Sequence, residues 1–221
     1  FIRQEVECRI LDELAPYFFI FAKRSASHID TLHDYVGTRR GITISEDPGL
    51  HLVRDHAVFY IKPLPHCLLN YSFWKQYLVP PSSSASSSPT ISTAYRSALG
   101  FLRSYGCLIR HESDFRLAQT ALLIPQHVSY TTFQHFIQPF RELPDTTVSP
   151  RYQYGHIRLT RLNLAVRLLR PVSTGKRFPW PYHRMHWHSD QYLAQFAAPL
   201  LFLFACLTLV LSSMQVGLAA Q

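Results

Sequence analysis

The sequence predicts an α+β fold: a small antiparallel β-meander with packed helices, followed by a C-terminal transmembrane α-helix. Three observations point there. Between Gly41 and Ile61 apolar and polar residues alternate with a period of two. Segments on both sides carry apolar residues at helical spacing. The end of the chain, Gln191 to Gln221, holds no charged residue. Hydrophobic residues make up 47% and aromatics 14% of the chain, which excludes a disordered polar sequence.

In residues 5–22, Ile10, Leu11, Leu14 and Phe18 share one helical face, and Pro16 interrupts or kinks that helix. Ile42 and Ile44 alternate with Thr43 and Ser45. Leu50–Val53 and Val58–Ile61 follow, separated by turn residues Asp47-Pro48-Gly49 and by Arg54-Asp55-His56. Pro63 and Pro65 stop the third strand, because proline cannot donate to a ladder. A short helix is expected over Leu68–Leu78, completing an N-terminal region of residues 1–79. Residues 80–93 are rich in serine and proline and read as a flexible loop. Ala94 to Leu123 then reads as one long helix, with Ala98, Leu102, Tyr105, Leu108, Ile109 and Phe115 in a stripe. With a further helix over Tyr130–Glu142, it makes a helical region of residues 94–150. Arg158 to Arg170 is amphipathic, with Leu159, Leu162, Val166 and Leu169 on one face.

Charge is distributed unevenly. The net +8 is carried by Arg151, Arg158, Arg161, Arg167, Arg170, Lys176, Arg177 and Arg184, a stretch without acidic residues up to Ser189. Residues 151–190 therefore form a basic segment before the apolar run of 191–221. Phe196–Ala220 is 25 residues long, and about 20 cross a ~30 Å hydrocarbon core. Trp180, Tyr182, Trp187 and Tyr192 stand at its entry, as an interfacial belt does. The expectation is a membrane protein with its N-terminal region cytosolic. Arg158, Arg161, Arg167, Arg170, Lys176, Arg177 and Arg184 would face membrane lipid and anionic headgroups rather than nucleic acid. Ser213 and Gly217, four apart, with Gln215 near them, suit packing against a second transmembrane helix or another copy of this one.

Several blocks together resemble a known family. They are His51-Leu52-Val53 with Phe59-Tyr60-Ile61-Lys62-Pro63-Leu64-Pro65, then Ile109-Arg110-His111-Glu112-Ser113-Asp114-Phe115-Arg116. Tyr154-Gly155 with Arg161-Leu162-Asn163-Leu164 follows, and then Val210-Leu211-Ser212-Ser213-Met214-Gln215-Val216-Gly217. In this order they resemble an uncharacterised fungal integral membrane protein family, a domain of unknown function. Arg54 departs from the aromatic that the pattern favours there. The resemblance implies a membrane location, a second apolar helix beyond Gln221 and no known activity, so no catalytic residue carries over.

The densest polar cluster is Arg110, His111, Glu112, Asp114 and Arg116. On one helix Arg110 would face Asp114, and Glu112 would face Arg116, each pair four residues apart. The expected role is a structural network. The competing one is an enzyme site, with His111 and Asp114 sharing a metal. Beside His183, His186 and His188 no cysteine, and no nearby carboxylate other than Asp190, completes a metal site. The G-x-S-x-G, H-E-x-x-H, phosphate-loop and dinucleotide patterns are absent from the sequence. Cys8, Cys67, Cys107 and Cys206 show no C-x-x-C spacing and are expected as reduced thiols. No cofactor or metal is expected. The reading is a membrane-anchored, non-enzymatic scaffold, adaptor or headgroup-binding module. The alternatives are an enzyme centred on His111, Glu112 and Asp114, or a subunit of a small transporter.

Overall fold

The computed structural model describes residues 2–20, 29–38, 41–55, 58–78, 89–169, 171, 182 and 189–219. The chain divides into two units, Phe1–His183 and Arg184–Gln221. In the first, α1 (Ile2–Val6) and α2 (Arg9–Leu14) lead into a 3-10 segment, Ala15–Ile20, in place of the continuous helix expected. Next come α3 (Leu32–Gly37), β1 (Gly41–Ile44), β2 (Val53–Arg54) and β3 (Val58–Ile61). Past a 3-10 turn at His66–Leu69 lie α4 (Tyr71–Phe73) and a π-helical turn over Trp74–Leu78. Then follow α5 (Pro89–Leu108), α6 (Glu112–Thr120), α7 (Tyr130–Arg141), β4 (Ile157–Arg158) and α8 (Leu159–Leu169). The second unit contributes α9 (Ser189–Ala219).

The fold is α+β, but the sheet is mixed rather than an antiparallel meander. Its order is β1-β3-β2-β4, with β1 parallel to β3, β2 antiparallel to β3, and β2 parallel to β4. The reason lies between β1 and β2. Asp47 caps a 3-10 turn over Pro48–Leu50, and Leu52 adopts a left-handed φ of 62°. That path carries β2 past the neighbouring position, so β3 enters between β1 and β2. β4 is supplied from about a hundred residues away, with Val53 opposite Ile157, a pairing that no local alternation announces.

The core gathers around α5. From Ser97 to Ile109 every residue of this segment is buried, so the helix is enclosed rather than amphipathic. It starts at Pro89, whose missing N–H costs nothing at the first helical position. The expected 80–93 loop therefore yields its last residues to α5; positions 80–88 lie outside the described residues. Gly100 lets the chain at Tyr152 approach, since a Cβ there would stand 2.5 Å from the Tyr152 ring. Arg141, at the end of α7, donates to the carbonyls of Gly106 (2.8 Å) and Ile109 (3.0 Å), which have no partner further along the helix at the C-terminal end of α5. One helix over Ala94–Leu123 was expected, but two form, because Asp114 starts a second one.

Among the described residues no helix is long and apolar enough to cross a membrane. This corrects the expected transmembrane helix over 191–221, the membrane location and the cytosolic placement of the N-terminal region that rested on it. A helix does form, α9. Its described side chains, Pro199–Gln215, are exposed throughout. It also contains Thr208, Ser212, Ser213 and Gln215.

Gly100 gives the fold a direct test. Gly100→Ala drives a methyl into the Tyr152 ring, and overpacking of this kind costs about 1–3 kcal/mol. Urea denaturation should show that loss, whereas an unchanged midpoint would mean that α5 and the Pro150–Gln153 turn are not in this contact.

Candidate functional site

The polar cluster read from the sequence is built around Asp114, whose side chain is fully buried. Asp114 is the third residue of α6, and its Oδ2 accepts from the amides of His111 (2.9 Å) and Arg110 (3.1 Å). That bond pattern is a helix N-cap in reverse, with the carboxylate reaching back over the first turn. Its Oδ1 accepts from the amide of His33 (2.9 Å) and from His33 Nδ1 (2.7 Å). His33 lies in the first turn of α3. One carboxylate therefore receives the free N–H groups of two helices. At α3 itself, Asp34 accepts from the amide (3.2 Å) and hydroxyl (2.5 Å) of Thr31.

The electrostatics follow from these donors. Burial alone pushes the Asp114 carboxyl up, but its four hydrogen bonds outweigh that and hold it below the usual carboxylate range. The hydrogen bond to Asp114 raises the His33 imidazole above its ordinary value. A histidine paired with aspartate at Nδ1 is the geometry of a base and its orienting partner. Two features count against that use. Raising the pKa favours the protonated ring, which donates rather than accepts. The nearest hydroxyl, Thr31 Oγ1, is 3.0 Å from Nδ1 and already donates to Asp34.

The remaining predicted residues disperse. Arg110 meets Asp114 through its amide, while its Nε donates to the Cys107 carbonyl at 3.2 Å. Glu112 and Arg116 do pair across one turn at 2.7 Å, but both are solvent-exposed, a contact worth about 0.3–0.5 kcal/mol. His111 lies with its ring 5.7 Å from that of His33. Among the described residues no three of His, Cys, Asp or Glu are placed to hold a metal. Arg158 on β4 and Arg161 and Arg167 on α8 are exposed. Arg170, Lys176, Arg177 and Arg184 lie outside the described residues, as do His183, His186, His188, Trp180 and Trp187. Ser213 is exposed and donates to the Val210 carbonyl at 2.7 Å; Gln215 is exposed, and Gly217 has open space around it. All four cysteines are free thiols.

The sequence did not announce a second polar network, in the core. Arg151, counted with the basic segment, is buried and donates to the carbonyls of His51 (3.0 Å), Tyr154 (3.1 Å) and Gly155 (3.2 Å). Burial holds His51 well below its usual value, so the ring is neutral. Its Nδ1 accepts from the Lys62 amide at 3.2 Å. The proton therefore sits on Nε2, 2.7 Å from Ser104 Oγ. No signal marks Arg151 or His51 as internal, because their partners are main-chain carbonyls and amides. His33 was equally hidden, although Thr31 and Asp34 at capping-box spacing marked the start of its helix.

These contacts fix the expected behaviour of Asp114→Ala. Two helix starts lose a cap, so urea denaturation near neutral pH should show a loss of about 2–4 kcal/mol. In the intact protein His33 is held above 6.5, so its share of the stability is full below that value. It is lost as pH rises through the folded-state pKa. Asp114 is held below 3.8, so its share is present above that value and lost as pH falls through the folded-state pKa. Histidine NMR should place the His33 titration above 6.5 and return it towards that value in Asp114→Ala. A His33 titration that ignores the substitution would contradict the contact.

Comparison with known proteins adds a family and no activity. No curated protein and no solved structure matches the chain. A family model, described as a family of unknown function, matches residues 1–221, the blocks around Asp114 and Arg151 included; the chain belongs to that family, DUF6601.

Proposed function

We propose that the chain is a non-enzymatic adaptor that assembles through α9 and whose other unit, Phe1–His183 (the head), binds a partner. The observation that carries this is the surface of α9. Leu200, Leu201, Phe202, Leu203, Phe204, Leu207, Leu209, Val210, Leu211 and Met214 are each 55–73% exposed. Leu200–Phe204 are five consecutive residues, more than one full helical turn, so no polar face remains in that part of the helix. An exposed apolar surface of this kind marks an association site.

The partner that complements it best is a further copy of α9. There is no charge in Pro199–Gln215 to specify a different helix. Ser213 and Gly217, four residues apart, present a small face that admits a close backbone approach. Because the apolar surface runs all round at Leu200–Phe204, a pair of helices would leave much of it uncovered there. A bundle of three or more is the expected assembly. The chemistry at Asp114 supports the non-enzymatic half of the reading, since its oxygens are committed to helix ends.

Sedimentation of the full chain tests the reading. The native protein should associate at micromolar concentration. Leu203→Glu, Leu207→Glu and Leu211→Glu combined should weaken association by at least about 100-fold, since each buried leucine is worth about 1.5–3 kcal/mol. Unfolding of the head should be unaltered. A monomeric native protein, or a triple variant that associates as before, would refute the proposal.

A further inference from the structure

A cleft of about 480 Å³ opens on the head unit, and Asp114 is not among its lining residues. Its size falls within the ~300–1,000 Å³ range of small-molecule sites. One wall comes from Glu5 of α1 and from Ile44 and Glu46 at the end of β1; the other comes from Leu122 and Ile124 after α6. The Pro63–His66 segment lies between them. The Leu64 amide donates to the Leu123 carbonyl at 2.9 Å, tying that segment to the α6 side. The cleft is thus held open by the main chain before any ligand arrives.

The two acids that line the cleft, Glu5 and Glu46, both pair with Lys62 behind it. The Lys62 side chain is buried, and its ammonium lies 2.9 Å from Glu5 Oε2 and 3.3 Å from Glu46 Oε2. The same ammonium donates to the Glu46 carbonyl at 2.6 Å. All three of its N–H groups are therefore occupied, and it has none left for a ligand. Two carboxylates facing one ammonium leave one net negative charge. Glu46 carries it outward, with its side chain 80% exposed. The rest of the lining is mostly proline, leucine and isoleucine, with His66 and Gln126 as its other polar side chains. The geometry points to a binding site for a small organic cation, an ammonium group on a short apolar body. The ammonium would sit against Glu46 and Glu5, and the apolar body between Ile44, Pro63, Leu122 and Ile124. The site is independent of α9.

Leu122 forms the rim. It is 67% exposed, and it occupies the left-handed position that closes α6, with φ 54°. Its amide bonds to Gln119 at 3.0 Å and the Leu123 amide to Ala118 at 2.8 Å, the two bonds of a Schellman cap. Glycine is the residue that this position prefers. A leucine there presents a side chain to the cleft at the expense of the cap.

The experiment uses the full chain with isoleucine methyl labelling, which is silent on α9 because that helix contains no isoleucine. Hexylammonium, hexan-1-ol and hexanoate are titrated while the Ile44 and Ile124 methyl signals are followed. Hexylammonium should shift both saturably, hexan-1-ol should bind about tenfold more weakly, and hexanoate should not bind. Glu46→Gln should bring the ammonium down to the level of the alcohol. Leu122→Gly should raise Tm by about 2–4 °C and yet weaken hexylammonium binding. That pairing separates a lost contact from a lost fold. The proposal is overturned if hexylammonium leaves both methyls unmoved, if hexanoate binds as well, or if Glu46→Gln keeps the full preference.

Discussion

The carboxylate of Asp114 fixes two helices with one charge, and both lead directly to the rest of the head. α3 runs into β1, the edge strand that pairs in parallel with β3. α6 runs into the Leu122–Gln126 segment that walls the cleft. Because Oδ1 holds the start of α3 and Oδ2 the start of α6, the register between those helices is set at a single buried point. A buried carboxylate without partners would cost several kcal/mol. Here the orphan amides of two helix ends provide the compensation, and each need removes the other.

The same economy explains the arginines. Between α7 and β4 the chain has little regular structure, so its carbonyls lack ladder partners. Guanidinium groups meet them instead. Arg96 donates to Thr146 and Val148, Arg103 to Leu143 and Tyr152, and Arg151 to Tyr154 and Gly155. The Arg103 guanidinium also reaches an acid, Asp145, at 2.8 Å. A planar group with five donors suits this work better than an ammonium does. Part of the positive charge therefore ties loops to the core and is not a surface property.

Periodicity made some of this legible. β1, β3, α7 and α8 stand close to where alternation and helical spacing place them, and β3, α7 and α8 bury a face that their own residues define. Strand order was not legible. β4 is two residues long, and its partner Val53 is remote in sequence. At the candidate site, Arg110 and Asp114 were paired correctly in space but through the wrong atoms. Helical i,i+4 spacing suggests a side-chain ion pair, whereas Asp114 takes the Arg110 amide and in doing so ends the preceding helical run. The apolar C-terminal run was legible as a helix, and α9 forms there. What its surface meets is a property of other molecules, which hydropathy alone does not identify.

Two leucines in one strained backbone state show where the head is shaped by its core and where it is not. Leu52 and Leu122 have φ values of 62° and 54°. A left-handed conformation costs a non-glycine residue about 1–2 kcal/mol. Leu52 is completely buried beside the sheet, and burying a leucine returns about 1.5–3 kcal/mol. Its strain is offset where it stands, and the backbone gains the bend that sends β2 past β1. Leu122 has no such return, since most of its side chain faces solvent at the cleft. Stability alone would favour glycine at that position. At Leu122 the strain is not offset by burial, and the exposed side chain extends the apolar lining of the cleft that Glu46 also lines.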